Sequence, residues 1–254
     1  MKTPFGNKDE FIITIEVVPP PDHDPSTLLD KLSGLSKFNP YAFSVASNPV
    51  AKPRMSAMAF SSLIQESIKQ KAMLHITVRD QNRLGLQSEL WGARALGIDT
   101  VIVVTGDPSA RTSGHPASTV GDVSVFELIE MAQESGLNTG AVLDFRPEVD
   151  GLDHEVVRLE KKVAAGCRFI VTQPVYDEST AARIAEATKE LGVPVIMGIL
   201  PLISPRHAVF LHDKVAGISV PRALRKEMAD SKDPVNTGIV QSRQMLALAR
   251  QYFS

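Results

Sequence analysis

The chain has 254 residues, of which 43% are hydrophobic and 22% are charged, and its formal net charge is -2. This charge gives no basic surface for nucleic acid or for an anionic membrane, and no apolar stretch reaches the roughly 20 residues of a membrane span. The single cysteine, Cys167, excludes an internal disulfide and a multi-cysteine zinc site, and the N-terminal residues lack a signal-peptide pattern. We therefore expect a cytoplasmic protein, and the length fits a single domain over residues 1–254.

Seven apolar, strand-like runs follow one another along the chain, and each ends in a polar, charged or proline-marked segment. They are residues 12–18, 42–46, 72–78, 101–104, 139–143, 169–171 and 195–200. Helical patterns separate several of these runs, for example the apolar face of Leu86, Leu90 and Ala93. Strands that alternate with helices favour a parallel sheet. We predict an α/β fold, a (β/α)8 TIM-type barrel with seven clear strands, whose active site lies where the strands end.

An eighth strand is the weak part of this interpretation. Residues 215–220 are apolar, but the run is short and close to the seventh one, and a helical pattern around Met245 and Leu248 follows it. An incomplete barrel has open sheet edges, which proteins normally cover. The expectation is a naturally short form, a homo-oligomer, or a partner subunit that covers the open edge.

Glu16 is the leading candidate for acid–base catalysis. It lies between Ile15 and Val17 near the end of the first run. We expect burial in this apolar setting to raise the pKa of Glu16 toward neutrality, which suits a general acid. A buried ion pair with an arginine is the alternative interpretation.

Two other strand ends carry polar pairs that suit a heterocyclic ligand. Gly106 permits close approach of a flat ring, and Asp107 can either accept hydrogen bonds from ring N–H groups or cap the next turn. Gln173 offers a donor and an acceptor together, with a turn role as the alternative. The long polar loop of residues 109–119 follows the fourth run and is expected on the active face.

The remaining polar residues give weaker signals. The histidines show no metal-ligand spacing, so we predict no metal, and His75 inside an apolar strand is more often structural. Neither a Gly-x-Gly-x-x-Gly segment, a Walker loop nor a nucleophile elbow is present. Lys161, Lys162 and Arg146 could bind phosphate, although solvated surface charge is the default for each.

Seven short segments together carry a resemblance to a known family. They are residues 14–20, 51–54, 75–77, 79–80, 104–108, 171–177 and 198–202. In this series the chain resembles methylenetetrahydrofolate reductases over about residues 10–250, most closely the reductase half of bacterial bifunctional homocysteine methyltransferase/reductase proteins. The resemblance implies a flavoprotein oxidoreductase with FAD (or FMN) that reduces 5,10-methylenetetrahydrofolate. NADH or NADPH is the implied electron donor, and one-carbon metabolism with methionine biosynthesis is the implied setting.

The resemblance also implies roles for single residues. Glu16 matches the acid that promotes opening of the folate imidazolidine ring. Substrate-contacting positions are matched by Asp107, Gln173 and His207. Positions that contact the flavin are matched by Ala46, Asn48, His75, Thr105, Gly106, Asp107, Arg146 and Lys162, with Asp150 as a further one.

The chain also departs from the family pattern. Thr105 stands where some members have arginine, and His207 stands where some have a folate-contacting glutamine. The final strand of the family, with its Leu-Asn-Arg-like segment, has no counterpart. The alternative that follows is a partner-dependent or non-catalytic flavin- and folate-binding subunit of a one-carbon pathway.

Overall fold

The computed structural model describes residue 5 and residues 11–107, 118–144, 151–215 and 217–253. Seven strands alternate with helices in this part of the chain. The strands are β1 (Thr14–Val17), β2 (Ala42–Val45), β3 (Ala72–Thr77), β4 (Thr100–Val104), β5 (Asn138–Leu143), β6 (Phe169–Pro174) and β7 (Val195–Gly198). The helices are α1 (Ser26–Ser36), α2 (Ala57–Ile68), α3 (Arg83–Ala95), α4 (Val125–Glu134), α5 (Leu152–Ala164), α6 (Glu178–Thr188), α7 (Pro205–Lys214), α8 (Arg222–Asp230) and α9 (Pro234–Tyr252), with short 3-10 turns at Pro49–Ala51 and Lys189–Leu191.

The strands lie in the sheet in the order of the sequence, from β1 to β7. Each strand from β1 to β4 pairs in parallel with the next one, and β6 pairs in parallel with β7. Parallel strands joined by helices are the TIM-type arrangement, so the predicted fold class with seven clear strands is confirmed. Val215 and residues 217–220, the weak candidate for an eighth strand, contain no strand.

The chain divides into two compact units. The first unit consists of residues 12–141 and 165–168, and the second unit consists of residues 1–11, 142–164 and 169–254. The single domain expected over residues 1–254 stays a prediction.

The sheet of the first unit has two different faces. Glu16 of β1 lies opposite Ser44 of β2, and because side chains alternate along a strand, these two residues share one face. The other face carries large apolar side chains such as Phe43 and Leu74, which are 0% and 1% exposed. Helix α2 packs against β2 and β3. The helices thus bury one face, and the polar side chains near the strand ends lie on the other.

The second unit has its own apolar core under the loops that follow β6 and β7. Its members come from the loops and from α7 and α8: Tyr176, Leu202, Ala208, Leu211, Ile218, Val220, Leu224 and Met228. Helix α9 closes on this core, because Gly238 lies directly against the backbone of Leu202 and Gln241 donates from Nε2 to the carbonyl of Tyr176 at 3.2 Å. The Tyr176 hydroxyl in turn donates to the carbonyl of Leu200 at 3.1 Å.

Candidate active site

Three neighbouring strands of the first unit bring Glu16, Ser44 and His75 to one face of the sheet. Ser44 Oγ and His75 Nε2 are 2.7 Å apart, and they share a hydrogen bond whose direction depends on the histidine tautomer. Burial lowers the pKa of His75, and the charge of Glu16 acts in the opposite direction. His75 therefore tends toward the neutral form, which can accept a hydrogen bond on one ring nitrogen and donate from the other.

The expected burial of Glu16 was wrong. Glu16 is exposed in β1, whereas Val17 next to it is only 5% exposed. The reason is the alternation of side chains along a strand, which turns Val17 toward the buried face and Glu16 toward the opposite one. The carboxylate is consequently accessible to a ligand at the end of β1.

Arg79, a buried residue two positions after β3, forms an ion pair with Asp80 and donates to two backbone carbonyls. Its Nε and Nη2 donate to the two carboxylate oxygens of Asp80 at 2.6 and 2.9 Å. Its Nη1 donates to the carbonyl of Asp107 at 3.0 Å, and its Nη2 donates to the carbonyl of Asn48 at 3.3 Å. Burial alone would raise the pKa of Asp80, but hydrogen bonds from Arg79 and Asn48 lower it overall. The ends of β2, β3 and β4 are thus joined through one guanidinium group.

Asp107 also fixes an unusual turn after β2. Its Oδ2 accepts a hydrogen bond from the backbone N–H of Val50 at 2.6 Å. Asn48, Val50 and Ala51 have φ values of 44°, 50° and 55°, a region that costs energy for residues with a side chain, and most for a β-branched one. Asn48 helps to hold this turn, because its Oδ1 accepts from Arg54 N at 2.9 Å. The side chain of Asp107 therefore restrains the turn after β2, whereas a cap of the turn that follows Asp107 would involve residues outside the described part of the chain.

Gly106 is placed where no side chain fits easily. Its φ is +84°, and a Cβ atom there would lie 3.0 Å from Arg79 Cβ and 3.3 Å from Thr77 Cβ. Thr105 beside it is exposed, and Ala46 at the end of β2 is buried, with its N–H bonded to the carbonyl of Val17 at 2.9 Å. Glycine at residue 106 lets the turn after β4 lie against Arg79.

A polar cavity of about 190 Å³ lies beside these strand ends in the first unit. His75, Thr77 and Asp80 line it from β3 and the loop that follows, and Asn48 lines it from the turn after β2. Glu89 of α3 also reaches it; burial raises the pKa of this carboxyl group, and a hydrogen bond with Gln81 counteracts the rise. The cavity offers hydrogen-bond donors and acceptors to a polar ligand.

Gln173 lies at the end of β6 in the second unit. Its Nε2 donates to Asp144 Oδ1 at 3.2 Å, and Asp144 follows the end of β5. Gly217 packs closely against it, since a Cβ atom there would lie 3.0 Å from Gln173 Cγ, and its φ is +78°. Asp144 and Gly217 therefore hold the amide group of Gln173 in one orientation, which specific hydrogen bonding to a heterocycle requires.

Lys162 and His207 have defined places in the second unit. Solvated surface charge, the default for Lys162, was wrong: the residue is 3% exposed, and its Nζ donates to the carbonyl of Val142 at 2.6 Å. His207 lies in the first turn of α7, where its Nδ1 accepts from Ile203 N at 3.4 Å, and burial lowers its pKa. Both side chains carry nitrogen donors that suit a polar ligand.

Some predicted residues lie outside the part of the chain that the structure describes. These are Arg146, Asp150 and most of the loop of residues 109–119. In the described residues, no group of three or more histidine, cysteine, aspartate or glutamate side chains could hold a metal ion. None of the described helices combines the length and the apolarity needed to cross a membrane.

The sequence did not assign roles to Ser44, Val50 or Asp144. Ser44 meets its partner His75 only because of the register between β1, β2 and β3, and this register cannot be predicted from the sequence. Arg79 lies in one of the segments that carry the resemblance, and its place after an apolar run and before Asp80 indicates a role at the site. Val50 gave no signal, because nothing in its residue type indicates a positive φ.

The profile of the family described as methylenetetrahydrofolate reductase matches residues 3–248 of this chain. The chain belongs to the methylenetetrahydrofolate reductase family. The resemblance read from the sequence is thereby confirmed at the level of the family.

Individual members of the methylenetetrahydrofolate reductase family are distant relatives. The chain is 22% identical over 206 residues to methylenetetrahydrofolate reductase (NADH) 1 of Arabidopsis thaliana, which covers 74% of this chain and 35% of that protein. It is 24% identical over 202 residues to 5,10-methylenetetrahydrofolate reductase of Salmonella typhimurium, and this alignment covers 77% of this chain and 66% of that protein. The matched part thus spans about a third and about two thirds of these relatives.

Solved structures support the fold. A protein from Clostridium thermocellum that binds two copies of 5-methyl-5,6,7,8-tetrahydrofolic acid superposes with a TM-score of 0.69 at 17% identity, covering 95% of this chain and 83% of that one. Tryptophan synthase from Pyrococcus furiosus superposes with a TM-score of 0.53 at 15% identity, covering 94% of this chain and 98% of that one. At these identities the likeness concerns the fold alone.

Proposed function

We propose that this protein reduces 5,10-methylenetetrahydrofolate to 5-methyltetrahydrofolate, with a bound flavin and with NADH or NADPH as electron donor. One observation carries the proposal beyond family membership. Glu16 and His75 lie in the carboxyl-terminal halves of two parallel strands, and Asp107 follows the end of a third, in one compact unit; TIM-type enzymes carry out their chemistry at this end of the strands. The folate bound by the Clostridium thermocellum protein supports the substrate class.

The residues of this chain fit a flavin. The edge of a flavin ring carries carbonyl groups and a ring N–H, which need donors and an acceptor. His75 has a ring nitrogen at this face, Thr105 is exposed, and Asp107 keeps Oδ1 outside its bond to Val50. Asn48 and Gly106 are the further residues of the first unit that we assign to holding it, and Lys162 of the second unit remains a flavin-contacting position that the family resemblance implies. When bound, the flavin would carry a hydride from the nicotinamide to the folate.

Glu16 is the acid in this proposal. Opening of the folate imidazolidine ring breaks the bond between the bridging methylene and N10, and N10 gains a proton. The methylene then remains on N5 as an iminium group, and addition of a hydride converts it to the methyl group. The carboxyl group of Glu16 near the end of β1 is accessible to a ligand, and the family resemblance assigns this proton transfer to it.

In the first unit, Asp107 is the group we assign to binding the pterin ring, and in the second unit Gln173 carries an amide that suits the same kind of ligand. A pterin carries an amino group and ring N–H groups beside a carbonyl. A carboxylate accepts hydrogen bonds from the amino and ring N–H groups, and an amide can both donate to the carbonyl and accept from an N–H group. Asp107 is fixed by Val50 and by Arg79, and Gln173 is fixed by Asp144, so neither side chain has to be ordered at the moment of binding.

Two half-reactions test this function. The purified protein is loaded with FAD or FMN under anaerobic conditions, and the visible flavin absorbance is followed. We expect bleaching with NADH or NADPH and return of the colour with 5,10-methylenetetrahydrofolate. Mass spectrometry of the extracted flavin distinguishes FAD from FMN. Flavin uptake without nicotinamide oxidation would instead indicate the partner-dependent subunit.

The Glu16→Gln variant tests the assigned acid. The amide keeps the size of the side chain but cannot deliver a proton, so bleaching by the nicotinamide should persist and recolouring by folate should fall by at least about a hundredfold. Glu66→Gln is the matched control, because Glu66 is an exposed carboxylate on α2 that accepts from Ser62 Oγ. Equal recolouring in Glu16→Gln and wild type would remove Glu16 from this role.

A further inference from the structure

Arg79 is a buried cation whose position the proposed reaction does not yet use. Its side chain is 7% exposed. A buried charge costs free energy unless hydrogen bonds and an opposite charge compensate it. Four hydrogen bonds reach out from a group that has five N–H donors, and two of them go to Asp80. The hydrogen bond to Asp80 raises the pKa of Arg79, so the group stays charged.

The other two hydrogen bonds of Arg79 connect it to the turns on both sides. Nη1 reaches the carbonyl of Asp107 after β4, and Nη2 reaches the carbonyl of Asn48 after β2. The planar guanidinium group fixes the spacing of these acceptors, which a lysine ammonium group does not do. Asn48 closes the arrangement through its Nδ2, which donates to Asp80 Oδ2 at 3.3 Å.

The turn after β2 needs an external restraint. Val50 is β-branched and has φ 50° and ψ 31°, and such residues keep a left-handed conformation only where their surroundings impose it. The hydrogen bond from Val50 N to Asp107 Oδ2 is the restraint that acts on Val50 itself, beside the bond between Arg54 N and Asn48 Oδ1. The bond to Val50 uses one carboxylate oxygen of Asp107, and in the described residues its Oδ1 makes no hydrogen bond.

We propose that Arg79 is a positioning residue that presents Asp107 to the ligand. By holding the carbonyl of Asp107, it sets the direction of the carboxylate, directs Oδ2 to Val50 and leaves Oδ1 for a donor group of the ligand. The hydrogen bond between Asp107 Oδ2 and Val50 N also keeps the strained turn after β2 in place. This inference rests on the proposed function only for the identity of the ligand, a pterin with N–H donors.

Arg79→Lys is the primary test, with 5-methyltetrahydrofolate as the probe. The lysine keeps the charge and loses the fork, so the dissociation constant measured by calorimetry should rise at least about tenfold. Hydrogen exchange at the Val50 amide should accelerate by a similar factor. Arg83→Lys is the matched control, because Arg83 forms an exposed ion pair with Glu127 and should change neither quantity.

A double-mutant cycle separates positioning from a general structural effect. If Arg79 acts through Asp107, the loss of affinity caused by Arg79→Lys should largely disappear in an Asp107→Asn background. Additive losses in the double variant would overturn the inference. If Arg79→Lys does not fold, Asp80→Asn takes its place in both measurements, since it weakens the anchor of the same guanidinium group.

The two proposals fail in different ways. A wild-type protein that does not bind the folate would contradict the proposed function, while exchange at the Val50 amide would still decide the role of Arg79. Unchanged folate affinity together with unchanged exchange at Val50 in both Arg79→Lys and Asp80→Asn would overturn the positioning role alone.

Discussion

A methyl group added at Gly106 should disturb the candidate site more than its conformational cost explains. In Gly106→Ala, the residue must keep a φ of +84°, and its Cβ must lie 3.0 Å from Arg79 Cβ and 3.3 Å from Thr77 Cβ. Gly97 provides the matched control, because its φ is +73° but no atom lies within 4 Å of a Cβ placed there. The pair therefore separates backbone strain from crowding against Arg79.

The expected magnitudes follow from these two terms. A left-handed conformation costs an L-residue about 1–2 kcal/mol, so Gly97→Ala should lower the free energy of unfolding by that amount. Gly106→Ala pays the same strain and about 1 kcal/mol more for crowding, the lower end of the cost of overpacking. We expect a total of about 2–3 kcal/mol for Gly106→Ala.

Denaturant unfolding and ligand binding measure the two effects. Unfolding in urea gives the stability difference between the variants. Titration with flavin and with 5-methyltetrahydrofolate should show affinity reduced about tenfold or more in Gly106→Ala, equivalent to about 1.4 kcal/mol, and unchanged in Gly97→Ala. Equal destabilisation of the two variants with wild-type affinity in both would refute the crowding argument.

Two further predictions concern stability. Burial lowers the folded-state pKa of His75 below its ordinary value of 6.5, so unfolding takes up a proton when the pH falls below that value. The contribution of His75 to the free energy of unfolding should be fully present above about pH 6.5 and should decline below it by at most about 1.4 kcal/mol per pH unit. Urea unfolding of His75→Asn should lack this part of the pH dependence. Gly238→Ala puts a Cβ against the Leu202 backbone and should lower the free energy of unfolding in urea by about 2 kcal/mol, which is about 3 for overpacking less about 1 for helix propensity. In the control Gly34→Ala the new Cβ meets no atom within 4 Å, so this variant should be more stable than wild type. A stabilised Gly238→Ala would contradict the packing of α9.

The strands could be predicted because most residues on both faces of β2, β3 and β4 are buried, which leaves continuous apolar runs in the sequence. Their ends were less certain. The run beginning at Phe169 was predicted to end at Val171, but β6 continues to Pro174 through polar residues. Pairing with β7 is irregular between Val171 and Pro174, so the polar Thr172 and Gln173 still belong to the strand.

The candidate site was predictable in part. Glu16, Gly106, Asp107 and Gln173 follow from their places at strand ends and from the family resemblance. The exposure of Glu16 could not be predicted, because burial depends on the face of the strand on which a side chain lies. The apolar residues next to Glu16 in the sequence point to the opposite face. The turn held by Asp107 was also beyond reach, since it joins residues 57 positions apart.

The pairing of each strand with its predecessor has a consequence for synthesis of the chain. From β2 to β5, every strand that leaves the ribosome finds its neighbour already made, with one crossover helix between them. No early strand has to wait for a distant segment, because its partner is the strand that precedes it in the sequence. The growing polypeptide can thus cover its apolar surfaces step by step during translation, which shortens the time in which bare strand edges are open to aggregation.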